Sequence, residues 1–318
     1  GCSFLENLHK IRCLAIDETD RMIEKGHFAE LENILSHIQK DEDLNKRRQN
    51  FVFSATLTFV HSPPRRLLGK RKTVHFTPED KIASLVSYLG LRDNYKVIDV
   101  TQHRAGVAHK ITEARMNCDN LEDKDAHLYY FLHTFPGRTL IFTNSIDGSR
   151  RLHSLLVRLG FNSAFLLHAK MHQKQRLKNL ERFAEQERSI LLATDVAARG
   201  LDIKKIKHIL HYQVPRTSEI YIHRSGRTAR AEADGLSIML IDEQDALNYR
   251  KIITALNRSD DLPIFPVDNS VFNGLKQLVR LASEIERIEH RRKRERSKQE
   301  WFRRQSMEMG LEFEHDEL

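Results

Sequence analysis

Asp17, Glu18, Thr19 and Asp20 follow directly on the apolar run Ile11-Arg12-Cys13-Leu14-Ala15-Ile16. A short apolar run bounded by charge reads as a buried strand of an α/β sheet, and carboxylates at the carboxyl end of such a strand lie where open sheets bind ligands. A metal and a phosphate would meet there. Asp17 could hold Mg²⁺ through water while Glu18 orients an attacking water, the division of labour that phosphoryl transfer needs. An acidic loop closing a strand is the plainer reading of the same residues. Far downstream, Arg224, Arg227 and Arg230 recur at intervals of three. On a helical turn this spacing would present three guanidinium groups on one face, suited to bidentate contact with phosphate, and at a helix N-terminus it would serve as an arginine finger. A surface ion-pair helix is the alternative. Gly200 relaxes the backbone after Arg199, where a substrate must come close, and Asp202 could accept a ribose hydroxyl. Thr194 and Asp195 end the preceding strand, where a turn stabilised by Asp195 is the alternative reading. Gln173 and Arg176 open a helix, and an arginine at a helix N-terminus makes an anion site.

These residues need a scaffold of strands ending near one another, and the sequence has that rhythm. Phe28, Leu31, Ile34, Leu35 and Ile38 fall at helical spacing, residues 50–53 make a short strand, and Ile82, Leu85, Val86 and Leu89 mark a second helix. Tyr95 to Val100 reads as a further strand. Residues 57–78 are basic and broken by Pro63, Pro64, Gly69 and Pro78, which is loop composition. Residues 101–110 lose periodicity and read as a linker between two lobes, 1–100 and 111–262. Within the second lobe, strands are expected at 111–117, 139–143, 163–167, 189–193, 207–212 and 236–241. Helices are expected near 122–134, 146–159, 173–185, 218–225 and 243–256. That alternation predicts a parallel sheet with helices on both faces. In the extension, 263–318, Leu275, Leu278, Leu281, Ile285 and Ile288 form an apolar stripe; the basic run from Arg291 to Lys298 then makes its second half a solvated helix or disordered arm.

Taken together the motifs resemble the DEAD-box family of ATP-dependent RNA helicases, in superfamily 2, over about residues 11–256. Asp17-Glu18-Thr19-Asp20 corresponds to the DEAD signature with Thr for Ala, and Ser54-Ala55-Thr56 to the SAT motif. Leu140 to Ser145 matches the fourth motif, Gln173 and Arg176 the QxxR after it, Ala193 to Asp202 the fifth, and His223 to Arg230 the sixth, which usually reads HRxGRxGR. Glu24-Lys25-Gly26-His27-Phe28 looks like a nucleolar, ribosome-assembly branch. The resemblance implies two RecA-like lobes, the first incomplete, which close on ATP, Mg²⁺ and one RNA strand. It assigns catalysis to Asp17 (the metal, through water), Glu18, Arg227 and Arg230, and the nucleotide to Asp202, Arg227 and Arg230. It assigns coupling between the lobes to Asp20, Ser54, Thr56 and His223. RNA contact falls to Thr143, Asn144, Gln173, Arg176, Thr194, Asp195, Arg199 and Gly200. A monomer in the nucleus or nucleolus follows, with the cytoplasm as alternative, RNA and pre-ribosomal proteins as partners, and no DNA specificity. A non-catalytic RNA-binding or assembly module is the second reading.

The bulk properties agree. The 318 residues suffice for two domains, and a formal charge of +8 with pI near 9.3 favours a polyanion, nucleic acid before a membrane surface. No apolar stretch approaches the ~18 residues that span a bilayer. Cys2, Cys13 and Cys118 form no CxxC pair, which excludes a zinc ribbon or disulfide framework and points to a reducing compartment. Leu67-Leu68-Gly69-Lys70-Arg71 is no Walker A loop, since Pro64 stands where its first Gly belongs and Arg71 where Ser or Thr belongs. The terminal His315-Asp316-Glu317-Leu318 and the sequon at Asn257 act only after translocation, and with neither a basic n-region nor an h-region in residues 1–16 lumenal residence is not expected. The family's Q motif and phosphate loop do not occur, so the N-terminus is expected to be missing and ATP hydrolysis by this chain alone is not expected. Ala229 replaces a family Gly, which a helical position would tolerate.

Overall fold

The computed structural model describes residues 8, 10–19, 29–54, 78–92, 94–98, 110–195, 203, 205–229 and 234–308. The chain forms two compact units, Gly1–Gly106 and Val107–Leu318.

In the first unit, β1 (Cys13–Ile16) pairs in parallel with β2 (Gln49–Val52), Ile16 opposite Val52. Parallel neighbours need a long crossover, supplied here by α1 (Ala29–Ile38) and α2 (Glu42–Arg47); α3 (Pro78–Leu89) follows. Ile16, Leu35, Leu85 and Leu89 bury one small core, so the helical spacing in α1 and α3 points where it should. Arg48 is the largest side chain buried there. Its Nη1 donates to the Ile38 carbonyl at 3.1 Å and its Nε to Asn50 Oδ1 at 2.9 Å, satisfying an acceptor at the end of α1. Two expectations fail. Cys13 and Ala15 of β1 are exposed, since β2 is the only neighbour of β1 among the described residues. Tyr95 to Ile98 form no strand and lie open to solvent, Ile98 at 72% exposure. β-branched residues favour a strand only where another strand pairs with them.

The second unit is a six-stranded, all-parallel sheet in the order β3-β8-β7-β4-β6-β5. Its strands are β3 (Ile111–Asn117), β4 (Thr139–Thr143), β5 (Ala164–Leu167), β6 (Ile190–Thr194), β7 (His208–His211) and β8 (Gly235–Ile241). The helices are α4 (Leu121–Thr134), α5 (Ile146–Arg158), α6 (Gln173–Glu185), α7 (Ser218–Ser225), α8 (Ala246–Ala255) and α9 (Asn269–Glu308). Every element expected here from periodicity is present, with ends shifted by three residues at most. Strict alternation sorts the apolar side chains. Ile141, Leu192, Leu210, Ile238 and Leu240 face Leu128, Phe131 and Leu155, whereas Leu140, Phe142, Leu191 and Ile209 face Phe183. Both faces are covered, which is why β4 and β6 are buried at every position.

Polar anchors complete this core. Asp123, Lys124 and Asp125, consecutive on α4, are all at most 4% exposed. Lys124 Nζ lies 2.7 Å from Asp242 Oδ2 and also pairs with Asp245, and Asp125 receives both Arg151 nitrogens at 2.8 Å. Asp123 takes the ammonium of Lys276 from α9. α9 packs on α4 through Phe272, Val279 and Ala282. Of the expected apolar stripe Leu275 packs partly against this core, whereas Leu278, Leu281, Ile285 and Ile288 are turned outward, between 48% and 60% exposed. Phe272 decides the rotation: its ring sits 4.4 Å from His127 and edge-on to Tyr130 at 6.0 Å, and the helix turns to bury it.

Two histidines of β7 are held neutral. His208 sits edge-on to the Phe131 ring, and burial, then Lys207, pulls its pKa down to about 4. His211 is fully buried with Nε2 3.1 Å from Ser237 Oγ, and burial, then Arg224, keeps it well below its ordinary value. The unfolded chain protonates both near pH ~6.5, so their contribution to stability is present above that pH and is lost as pH falls towards the folded values. For His208 the loss from about pH 6.5 down to about 4 is roughly 3 kcal/mol. Urea titrations between pH 7 and 4 should therefore show a stability decrease that His208→Gln reduces by that order; the same pH slope in both proteins would refute the assignment.

Candidate functional site

In the first unit the chain turns sharply after β1. Glu18 adopts φ +49°, and its amide donates to Asp17 Oδ1 at 2.8 Å. Thr19 is buried, its Oγ1 donating to the Ile16 carbonyl at 3.2 Å and the Phe53 carbonyl at 2.9 Å. The Thr19 amide also donates to Phe53 O, and the Phe53 amide to Ile16 O at 2.8 Å. The hydroxyl that an Ala would lack thus fastens the acidic turn to the end of β2, beside Ser54. Asp17 is left exposed, Glu18 half-exposed and Ser54 exposed. One exposed carboxylate suits Mg²⁺, a hard ion that keeps most of its waters.

In the second unit the ends of three adjacent strands meet on one guanidinium. Arg224, in the last turn of α7, is 2% exposed. Its Nε lies 2.6 Å from Asp195 Oδ1 and its Nη2 2.9 Å from Asp195 Oδ2, after β6. Nη2 also donates to Asn144 Oδ1 at 2.8 Å, after β4, and Nη1 to the Gln213 carbonyl at 2.9 Å, after β7. The Phe142 ring lies beneath it, 5.0 Å from the guanidinium carbon. Asn144 is fixed on all sides, its amide donating to Gln213 Oε1 at 2.7 Å and its Nδ2 to Val214 O at 3.0 Å. Thr143, fully buried, donates to Ser145 O at 3.1 Å, and Ser145 Oγ caps α5 by accepting from the Gly148 amide. These are the carboxyl ends of β4, β6 and β7, the edge at which open parallel sheets hold ligands.

Arg224 and Arg227 do not share a helical face. α7 ends at Ser225, and the chain beyond folds back, with Arg227 N donating to Arg224 O at 3.1 Å and Thr228 N to Ser225 O at 3.2 Å. Arg224 is consumed internally, and Arg227 lies past the helix C-terminus, 9% exposed. Ala229 is not helical either: its φ is +54°, the left-handed region that favours Gly. Thr228 closes the turn by donating to Ile206 O at 2.6 Å and packs so near Gly235 that a Cβ there would lie 2.4 Å from its Oγ1. His223 sits on α7 one residue before Arg224. Gln173 and Arg176 do open α6, with Arg176 Nη1 3.3 Å from Gln173 Oε1 and no acid in the first turn. Beside them a cavity of about 540 Å³ runs along β5, lined among others by Arg150, Lys170 and Arg182. Thr194 is buried at the end of β6. Asp20, Thr56, Arg199, Gly200, Asp202 and Arg230 lie outside the described residues, as does the terminal tetrapeptide from His315.

Comparison with known proteins fits this arrangement. Residues 2–62 match the model of the DEAD/DEAH box helicases and residues 123–232 that of the helicase conserved C-terminal domain. The ATP-dependent RNA helicase DDX24 of Homo sapiens is 48% identical over 98% of this chain and 36% of its own length. The chain belongs to the DEAD-box family of helicases. The ATP-dependent RNA helicase mak5 of Schizosaccharomyces pombe is 35% identical over 98% of this chain and 47% of its own. The chain therefore spans well under two thirds of these relatives. A structure of Mss116p bound to ssRNA and AMP-PNP shares the fold at 21% identity and TM-score 0.66, over 88% of this chain and 54% of that one. S. cerevisiae Dbp5 bound to RNA and ADP BeF3 does so at 20% and 0.63, over 86% and 64%. The sheet of the second unit is RecA-like in this sense.

One constellation escaped the sequence reading of this DEAD-box chain. Cys118, Asp123 and His127 bring ligand atoms within 4.8 Å of one another. Lys276 pairs with Asp123, and burial pushes the Cys118 thiol up to about 12, so as they stand the three residues form a packed polar joint. The spacing Asp123–His127 was visible, but the approach of Cys118 depends on the strand before α4.

Two predictions follow from the turn and the knot. Arg224→Ala leaves Asp195 and Asn144 without their partner and should cost about 3–5 kcal/mol in urea unfolding. Arg224→Lys should recover only part, because an ammonium cannot span all three strand ends; full recovery would show that charge alone suffices. Ala229→Gly should stabilise the protein by up to ~1 kcal/mol, the left-handed strain relieved less the added chain entropy, and any loss of melting temperature would contradict this.

Proposed function

We propose that this chain is part of an ATP-dependent RNA helicase that remodels RNA or ribonucleoprotein during ribosome assembly in the nucleolus. The observation that carries the reading is the knot around Arg224, which draws the fourth, fifth and sixth motifs to one edge of a RecA-like sheet. In this reading Arg227 and Arg230 stabilise charge on a transferring γ-phosphoryl group, and Asp202 accepts a ribose hydroxyl. Asp17 holds Mg²⁺ through water and Glu18 orients the attacking water. The ion neutralises phosphate charge when bound. Asp20, Ser54, Thr56 and His223 couple the lobes. Gln173, Arg176, Arg199 and Gly200 meet RNA phosphates directly, and the basic cavity by β5 and an acid-free start of α6 support an anion there. Thr143, Asn144, Thr194 and Asp195 shape the same RNA surface from beneath, since the side chains of Thr143, Asn144 and Asp195 are engaged inside the protein.

Both DDX24 and mak5 carry the name ATP-dependent RNA helicase, which supports the enzymatic reading for the longer protein. The 318 residues contain no GxxxxGK[ST] loop to cradle the β- and γ-phosphates. Purified alone, they should show no RNA-stimulated ATP turnover. In the full-length protein, Arg227→Ala should lower duplex unwinding and turnover by roughly 10³ or more while RNA binding persists. Unwinding at the normal rate would sink the enzymatic reading, and turnover by the 318 residues alone would sink the dependence on the phosphate loop.

A further inference from the structure

α9 changes character along its length. In its first half each basic residue is neutralised: Lys276 by Asp123, Arg280 by Glu284 and Arg287 by Glu122. Glu289 pairs back to Arg158 of α5. From His290 the helix leaves the domain, and every described side chain through Arg303 is exposed. Between His290 and Arg304 stand eight Lys or Arg and two acids. Arg291, Arg292, Lys293, Arg294, Arg296, Lys298 and Arg303 make no ion pair among the described residues, although Glu295 and Glu300 are within a turn of several. Like charges a turn apart oppose the helix that carries them, so this segment is built at a cost that a bound polyanion would remove. The end of the segment is aromatic. Trp301 and Phe302 are 56% and 57% exposed, with ring centroids 5.0 Å apart and planes at 75° rather than stacked, so neither ring lies flat on the other. 

Cations on successive turns, about 5.4 Å apart, followed by an exposed aromatic ring are the two elements with which proteins hold single-stranded nucleic acid.

We propose that the distal half of α9, from His290 to Arg303, is a separate single-stranded RNA site, in which the basic turns track phosphates and Trp301 stacks on a base. It rests on the RNA-helicase reading for its ligand and adds to it a contact away from the strand-end motifs. Sequence preference is not expected, because phosphates and base faces are common to every RNA.

Trp301 is the only tryptophan of the chain, so its fluorescence reports on this site alone. The 318-residue protein is titrated with a fluorescein-labelled 20-nucleotide oligouridylate, following RNA anisotropy and Trp301 emission together. Both should saturate at the same RNA concentration, with Trp301 quenched. Replacing Arg291, Arg292, Lys293 and Arg294 by Gln, all exposed and expected to leave folding intact by circular dichroism, should reduce the slope of log K against log salt by about 3. Trp301→Ala should weaken binding roughly tenfold by anisotropy. RNA binding that leaves Trp301 emission and the salt slope unaltered overturns the proposal and spares the helicase reading. Absence of any RNA binding overturns the proposal as well, while the helicase reading is decided separately by Arg227→Ala in the full-length protein. Equal quenching by poly-glutamate of matched charge would make the arm a dock for acidic protein and also refute the RNA site.

Discussion

The second unit depends on one buried guanidinium. Arg224 satisfies acceptors that follow three neighbouring strands, and no apolar side chain could do that. A parallel sheet leaves its carboxyl edge as a row of chain ends that must diverge into loops, and nothing in the backbone ladder holds those ends together. The planar fork of Arg224 does so from a single point, with Asp195 balancing its charge and Phe142 closing its face. The same buried placement that would make a lone charge costly becomes tolerable because each of its donors is used or its charge is matched.

The first unit uses a smaller version of this device. The Thr19 hydroxyl ties the acidic turn to β2 with two bonds to carbonyls, so Asp17 and Glu18 project from a turn whose base cannot drift. In both units the residues with candidate chemical roles stand on a polar fastening, and the fastening is made by a neighbour in sequence: Thr19 beside Glu18, Arg224 beside His223. Each of these two motifs thus sets a clamp beside a candidate reagent.

That mixture explains what could be read in advance. The strands and helices of the second unit were legible because a sheet covered on both faces demands continuous apolar runs, and helices between them demand a 3.6-residue rhythm. The motifs were legible as strings, but their division of labour was not. Three arginines at equal spacing look equivalent until a helix ends between the first and second of them. Ala229 looks like a helix former until the turn after Gly226 imposes a left-handed backbone. Asp123-Lys124-Asp125 has the composition of a solvated face, yet all three are buried and each meets a different charged partner contributed by another segment. Tyr95 to Ile98 has strand composition without a strand to pair with among the described residues. In each case the missing information is a tertiary partner, which periodicity cannot encode.

The anchoring of α9 has a mechanical consequence. Phe272, Val279 and Ala282 seat its first half, while the pairs of Arg287 with Glu122 and Glu289 with Arg158 pin it just before it leaves the surface. A helix held at its root is a strut and not a tether: its free part points in one direction fixed by the second unit and reaches about 1.5 Å further per residue. A flexible tail samples a sphere and so spreads its local concentration over many positions, with a tolerance that falls only gradually with distance. A strut concentrates everything along one bearing, so any second binding event must lie on that line or gain nothing from the linkage.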